Sequence, residues 1–150
     1  MKKRILLDWL LVVILMIIIF MFSKDPAVSS SDKSNYLVET LVNFFNLKNI
    51  DLFELNVIIR KLAHFIIYFI LGVLVFNAVK DTSSKTLISI MIISILICTL
   101  YAETDELHQM LVPGRSGEAR DVIIDSAGSS QGALIYFLIL KNKNKNLKKL

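Results

Sequence analysis

YAETDELHQMLVPGRSGEARDVIIDSAG, residues 101–128, sets Glu103, Asp105, Glu106, His108, Arg115, Glu118, Arg120, Asp121 and Asp125 between two nearly unbroken aliphatic runs. The rest of the chain explains the contrast. Its 150 residues are 55% hydrophobic with a mean hydropathy of +0.62, too apolar for a soluble domain around one core. Runs long enough to cross a bilayer occupy Ile5–Phe22, Leu62–Val79, Leu87–Ala102 and Val122–Leu140. An 18-residue helix covers roughly 27 Å, close to the hydrocarbon thickness. Continuous Ile, Leu and Phe runs lack the two-residue alternation of barrel strands, and only helices or closed barrels satisfy every backbone group in lipid. The expected architecture is therefore an all-α membrane protein, one domain over residues 1–150, with four transmembrane helices.

The basic residues give an orientation. With the N-terminus inside, the inner segments carry Lys2, Lys3, Arg4, Lys80, Lys85, Lys141, Lys143, Lys145, Lys148 and Lys149 against one acid, Asp81. This is a strong positive-inside pattern, which predicts a multi-pass cell-membrane protein with both termini cytoplasmic. The net charge of +4 then reflects topology and attraction of the tail KNKNKNLKKL to anionic lipid, with no call for nucleic acid. MKKR before an apolar stretch, with Ala27-Val28-Ser29 beyond, has the outline of a signal peptide, but the apolar run is too long, so the first helix is read as retained. Asp8 is expected at the interface beside Arg4.

Residues 23–56 form the one long loop. Leu37, Val38, Leu41, Val42 and Phe45 recur at helical spacing, which predicts a short amphipathic surface helix over Tyr36–Leu47. Asp51 followed by Glu54 predicts a capping box that starts the second long helix near Leu52. Cys98 lies alone within the third span, where a packing role is expected.

Four spans gather the charge at one end, the outer one in this orientation. Lys61, His64, Tyr68 and Gly72 fall in a stripe about 80° wide on the second span, and Asp121, Asp125, Gly128 and Gly132 in one about 60° wide on the fourth. The second and fourth spans enter from the same face, so His64 and Asp125 sit at similar depth and can face each other. Gly128 and Gly132 permit close helix approach below them. Glu103, Glu106 and Gln109 close the third span, and Pro113, Gly114 and Gly117 favour a tight turn that aims Arg115 back toward them. With Arg120 these residues form the expected pocket, because ionisable groups at membrane depth are costly unless paired or functional. A purely structural reading competes: the same acids pair with Lys61, Arg115 and Arg120 to lock three helices, with His64 a satisfied core residue. Asp105, His108 and Glu118 are each read as solvated.

KLAHFIIYFILG (61–72) and ETDELHQMLVPGRSGEARDVIIDSAGSSQG (103–132) resemble the VanZ-like family of small bacterial membrane proteins, over about half the chain. The resemblance carries to Lys61, His64, Phe65 and Tyr68, and to Glu106, Gln109, Pro113, Gly114, Arg115, Asp121, Asp125, Gly128 and Gly132. Ile67 departs from it, since many relatives carry an acid before the tyrosine. The family is named for a protein associated with teicoplanin resistance, so the resemblance implies a role in glycopeptide resistance or in the cell envelope.

Two functions follow as expectations. In the first, a non-enzymatic protein uses Lys61, Arg115 and Arg120 to hold phosphate or carboxylate, with Glu106 and Asp125 orienting those cations. Its partners would be the bilayer and a cell-wall precursor, an anionic lipid or a glycopeptide antibiotic. In the second, His64 with Glu106 or Asp125 performs acid–base chemistry on a lipid-linked envelope substrate. No serine elbow, phosphate loop or HExxH motif is present, and no metal or cofactor is expected. A transporter would need polar lining on both sides, which the inner halves of the spans lack. The sequence favours no particular oligomeric state.

Overall fold

The computed structural model describes residues 2–23, 35–36, 38–40, 42–44, 51–112 and 118–147. Four helices are long and apolar enough to span a membrane: α1 (Lys2–Ser23), α3 (Leu52–Thr82), α4 (Leu87–Gln109) and α5 (Ala119–Leu147). A short helix at 38–44, α2, precedes α3. Within the expected Tyr36–Leu47 segment, Val38 is buried and Tyr36, Glu39, Thr40 and Phe44 are exposed, while residues 45–47 lie outside the described set. The signal-peptide-like Ala27-Val28-Ser29 lies outside it as well.

Helix ends follow local chemistry. Asp51 caps α3 by accepting the Phe53 N–H at 2.8 Å, and Thr86 caps α4 by accepting the Ser89 N–H at 3.3 Å. The Asp51 cap stands where the capping-box spacing puts it. The outward faces are aliphatic: Leu6, Leu10, Ile14 and Ile17 on α1, Ile92, Leu96 and Leu100 on α4, and Leu134, Leu138 and Ile139 on α5 are all exposed. A soluble protein does not present such a belt, and lipid tails satisfy it.

Helix α3 is central, packing against α1, α4 and α5. Its seam with α5 is built on glycine. A side chain on Gly128 would overlap the Phe65 carbonyl, one on Gly132 the Phe69 carbonyl, and one on Gly72 the Ser129 carbonyl. The two backbones are therefore in contact from both sides. In lipid, where no hydrophobic force pulls helices together, this closeness supplies the dispersion and Cα–H···O contacts that hold them.

Polar bonds attach α1. At the end where it begins, Asn77 donates to Asp8 Oδ1 at 3.0 Å and accepts from Lys80 at 2.8 Å and from the Tyr136 hydroxyl at 3.0 Å. Arg4 and Lys80 flank Asp81 at 2.8 and 3.2 Å, and the Trp9 indole donates to Thr82 at 2.9 Å. Asp8 thus joins α1 to α3 at the same end of the bundle as the Arg4–Asp81 pair. Near the other end of α1, the Tyr101 hydroxyl donates to the Met16 carbonyl at 2.6 Å, and the Phe20 and His108 rings lie 4.3 Å apart.

Replacing Gly132 by alanine separates helix propensity from packing. Alanine gains about 1 kcal/mol of propensity over glycine in a helix interior. The backbone overlap should outweigh it, with a net destabilisation of about 1–3 kcal/mol, as overpacking typically costs. The thermal unfolding midpoint of the detergent-solubilised Gly132→Ala chain is expected to fall; a midpoint equal to or above that of the parent would contradict the backbone contact.

Candidate functional site

The α3–α5 seam fixes which side chains oppose each other where these helices begin. His64 precedes Phe65, whose carbonyl rests on Gly128, and Asp125 lies one residue short of a turn above Gly128. The seam accordingly brings His64 Nδ1 to 3.4 Å from Asp125 Oδ1. Asp125 is only 2% exposed, whereas the imidazole is 29% exposed. The buried carboxylate thus faces the Nδ1 side of a partly exposed imidazole at ion-pair range, without a hydrogen bond between the two atoms. One turn further up α3, the Lys61 ammonium lies 3.5 Å from Asp121 and 3.7 Å from Glu118. One turn below His64, Tyr68 is fully buried; its ring lies 6.3 Å from that of Tyr101, and its hydroxyl has no hydrogen-bond partner among the described residues.

Helix α4 contributes its inward stripe, which continues from Ser94, Cys98 and Ala102 to Asp105, Glu106 and Gln109. Glu106 does not orient a described cation. Its carboxylate accepts the backbone N–H of Glu118 at 2.5 Å, so it caps the start of α5 from a neighbouring helix. Gln109 donates to Asp105 Oδ2 at 3.2 Å. Asp105, read from sequence as solvated, is 2% exposed and lies within electrostatic reach of His64, Tyr68 and Asp125.

Two expected pocket members fall elsewhere. Glu103 is exposed on the stripe of Leu96, Leu100 and Leu107, a face turned away from the bundle. Arg120 is exposed and forms no ion pair with the described residues. Pro113, Gly114, Arg115 and Gly117 lie outside the described set. The expected packing glycines, Gly72, Gly128 and Gly132, all sit at the α3–α5 contact.

A cleft of about 110 Å³ opens between α3 and α5, lined by Val57, Arg60, Lys61, His64, Glu118, Asp121 and Ile124. Arg60 was not among the candidates, although it directly precedes Lys61; the charge of the residue was visible but its direction was not. The cleft offers two cations, one imidazole facing a carboxylate, two rim carboxylates and apolar walls. Among the described residues no group of three His, Cys, Asp or Glu side chains is placed to share a metal ion.

No curated protein and no solved structure matches the chain. The model of the family described as VanZ/LLP1 matches residues 8–140, a range that holds all four spanning helices in whole or large part and every cleft residue. The chain is thus a member of the VanZ/LLP1 family.

Proposed function

We propose that the cleft between α3 and α5 binds the anionic headgroup of an envelope lipid or lipid-linked wall precursor, and that the protein acts by binding. The observation carrying this reading is the state of the Lys61 ammonium. It stands 3.5 and 3.7 Å from its two carboxylates, beyond the 2.7–2.9 Å of a charge-assisted hydrogen bond. The acids therefore hold it in position without saturating its donors. Arg60 supplies a planar second cation suited to phosphate, and the apolar walls Val57 and Ile124 suit the glycerol and first methylenes of a lipid. Arg115 is the third cation in this reading.

In this reading the cleft faces outward, which the lysine-rich termini support through the positive-inside rule. Occupying or masking a wall precursor there would connect the cleft to the glycopeptide resistance for which the family is named. Buried charge with no ligand would be an expensive way to join helices already in backbone contact, which favours binding over a purely structural role.

One feature favours a second reading. The His64–Asp125 pair resembles the orienting half of an acid–base site: a carboxylate on the Nδ1 side of an imidazole that lines a cleft. In that case the substrate is the same class of lipid, and His64 is its base.

Three outcomes test these statements. In bacteria expressing the chain, Lys61→Ala at matched protein level should abolish any raised teicoplanin tolerance and reduce phosphatidylglycerol binding by the purified protein roughly tenfold, the loss of one charged contact; unchanged tolerance and binding would remove the proposal. Turnover of a labelled lipid-linked precursor that His64→Ala eliminates would establish the enzymatic reading, and binding without turnover the first. A Ser116→Cys chain lacking Cys98 should react with an impermeant maleimide in intact cells; reaction only after permeabilisation would place the cleft on the cytoplasmic side.

A further inference from the structure

A second feature lies at mid-span, on the side of α5 that borders α4. Gln131 stands twelve residues from Ala119 and ten before Lys141, or roughly 18 and 15 Å along the helix. Its side chain is exposed and makes no hydrogen bond with the described residues. With Ala127, Ser130 and Leu134 of α5 it lines a groove of about 470 Å³, walled by Met91 and Ile95 of α4 and by Phe65 of α3.

The seam with α3 uses Gly128 and Gly132, while Ala127 and Gln131 beside them stay exposed. An amide facing hydrocarbon leaves two donors and an acceptor without partners, at a cost of several kcal/mol. Water does not reach that depth, so the partner must arrive laterally. An acyl chain would fill the apolar walls and leave the amide as it was. A second Gln131 supplies what is missing: a side-chain amide is both donor and acceptor, so two of them satisfy each other in a reciprocal pair.

We infer that the chain forms a two-fold homodimer through this groove, the α5 helices of the two copies crossing at Gln131 with their side-chain amides hydrogen-bonded to each other. Copies of one membrane protein share a topology, so the axis runs along the membrane normal and the two α5 helices lie parallel, residue 131 meeting residue 131. Ala127, one turn before, and Ser130, the adjacent residue, are small and let the backbones approach at the crossing. From Ser126 to Leu140 the helix carries no charged residue that would repel its copy. Beyond the crossing the helices diverge, which separates the lysines at 141, 143 and 145.

The test uses the full chain in native membranes with Cys98→Ala. Single cysteines are introduced by Ala127→Cys in the groove and by Leu10→Cys on the lipid-facing side of α1. Copper-phenanthroline oxidation should give a covalent dimer from Ala127→Cys and little from Leu10→Cys. Gln131→Leu, added to Ala127→Cys, should reduce the dimer roughly five- to tenfold, the scale of one interhelical polar contact in a membrane. Equal cross-linking at the two positions, or an undiminished dimer with Gln131→Leu, overturns the inference. Native mass spectrometry of the unsubstituted chain from lipid nanodiscs guards against a folding defect in the variants: two copies support the dimer, and a single copy, with or without bound lipid, overturns it.

Discussion

Backbone contact between α3 and α5 is the constraint from which the rest of this bundle follows. Helices in lipid gain nothing by hiding aliphatic side chains from one another, since the surrounding tails are equally apolar, and association must come from close packing and polar contacts. Gly72, Gly128 and Gly132 provide the first by removing every side chain between the two backbones. Because the contact pairs Phe65 with Gly128 and Phe69 with Gly132, it also fixes register. A shift of α5 by one residue would turn Asp125 about 100° away from His64 and separate Lys61 from Asp121. Seam and cleft are thus a single arrangement, one made of glycine and the other of charge.

The two ends of the bundle use polarity differently. Where α1 begins, Asn77 is engaged on both sides of its amide and ties Asp8, Lys80 and Tyr136 into one cluster across three helices. These are short bonds, and they suit a joint. At the other end Lys61 and its acids are separated by 3.5 Å or more, His64 and Asp125 by 3.4 Å, and the Tyr68 hydroxyl has no described partner. If ion pairing served only to fasten helices, the shorter distances would be expected at the end carrying more charge. The reverse holds. Loose pairing around a cleft is what preorganised binding groups require, since donors that are positioned but not consumed can be offered to a ligand without first being released.

Much of this was legible in the residues, and the errors share a cause. Span number, the Asp51 cap, the packing glycines and the opposition of His64 and Asp125 all follow from lengths, turn chemistry and angular stripes, which do not depend on knowing which face of a helix is buried. The misreadings concern direction. Helix α4 is apolar all round, so hydrophobicity gives no hint of which side meets protein and which meets lipid, unlike the amphipathic helix of a soluble protein. Glu103 was therefore assigned to the pocket and Asp105 to solvent, the reverse of their exposure. The phase was present in the small residues: Ser94, Cys98 and Ala102 mark the inward stripe, and three further residues along it reach Asp105, while Leu96 and Leu100 mark the outward stripe that reaches Glu103. Small residues, rather than apolar ones, carry the inside–outside signal in such a helix. The bond of Asp8 to Asn77 was not legible either, because its partner lies 69 residues away and nothing local announces it.

Glu106 shows how a resemblance can name a residue correctly and leave its work open. The binding hypothesis gave it the task of orienting the cations of the pocket; among the described residues its carboxylate receives the N–H of Glu118, at the entry to α5. That bond spans the two sides of the 110–118 connection and sets where α5 starts, and hence the height of Asp121 and Asp125 against Lys61 and His64. Loss of the carboxylate would act on the cleft without touching anything inside it. Position in a motif cannot tell such a residue from one that meets a ligand. Hydrogen-bond partners can: Glu106 is turned to the backbone of its own fold, whereas Arg60, Lys61 and His64 are turned to the cleft.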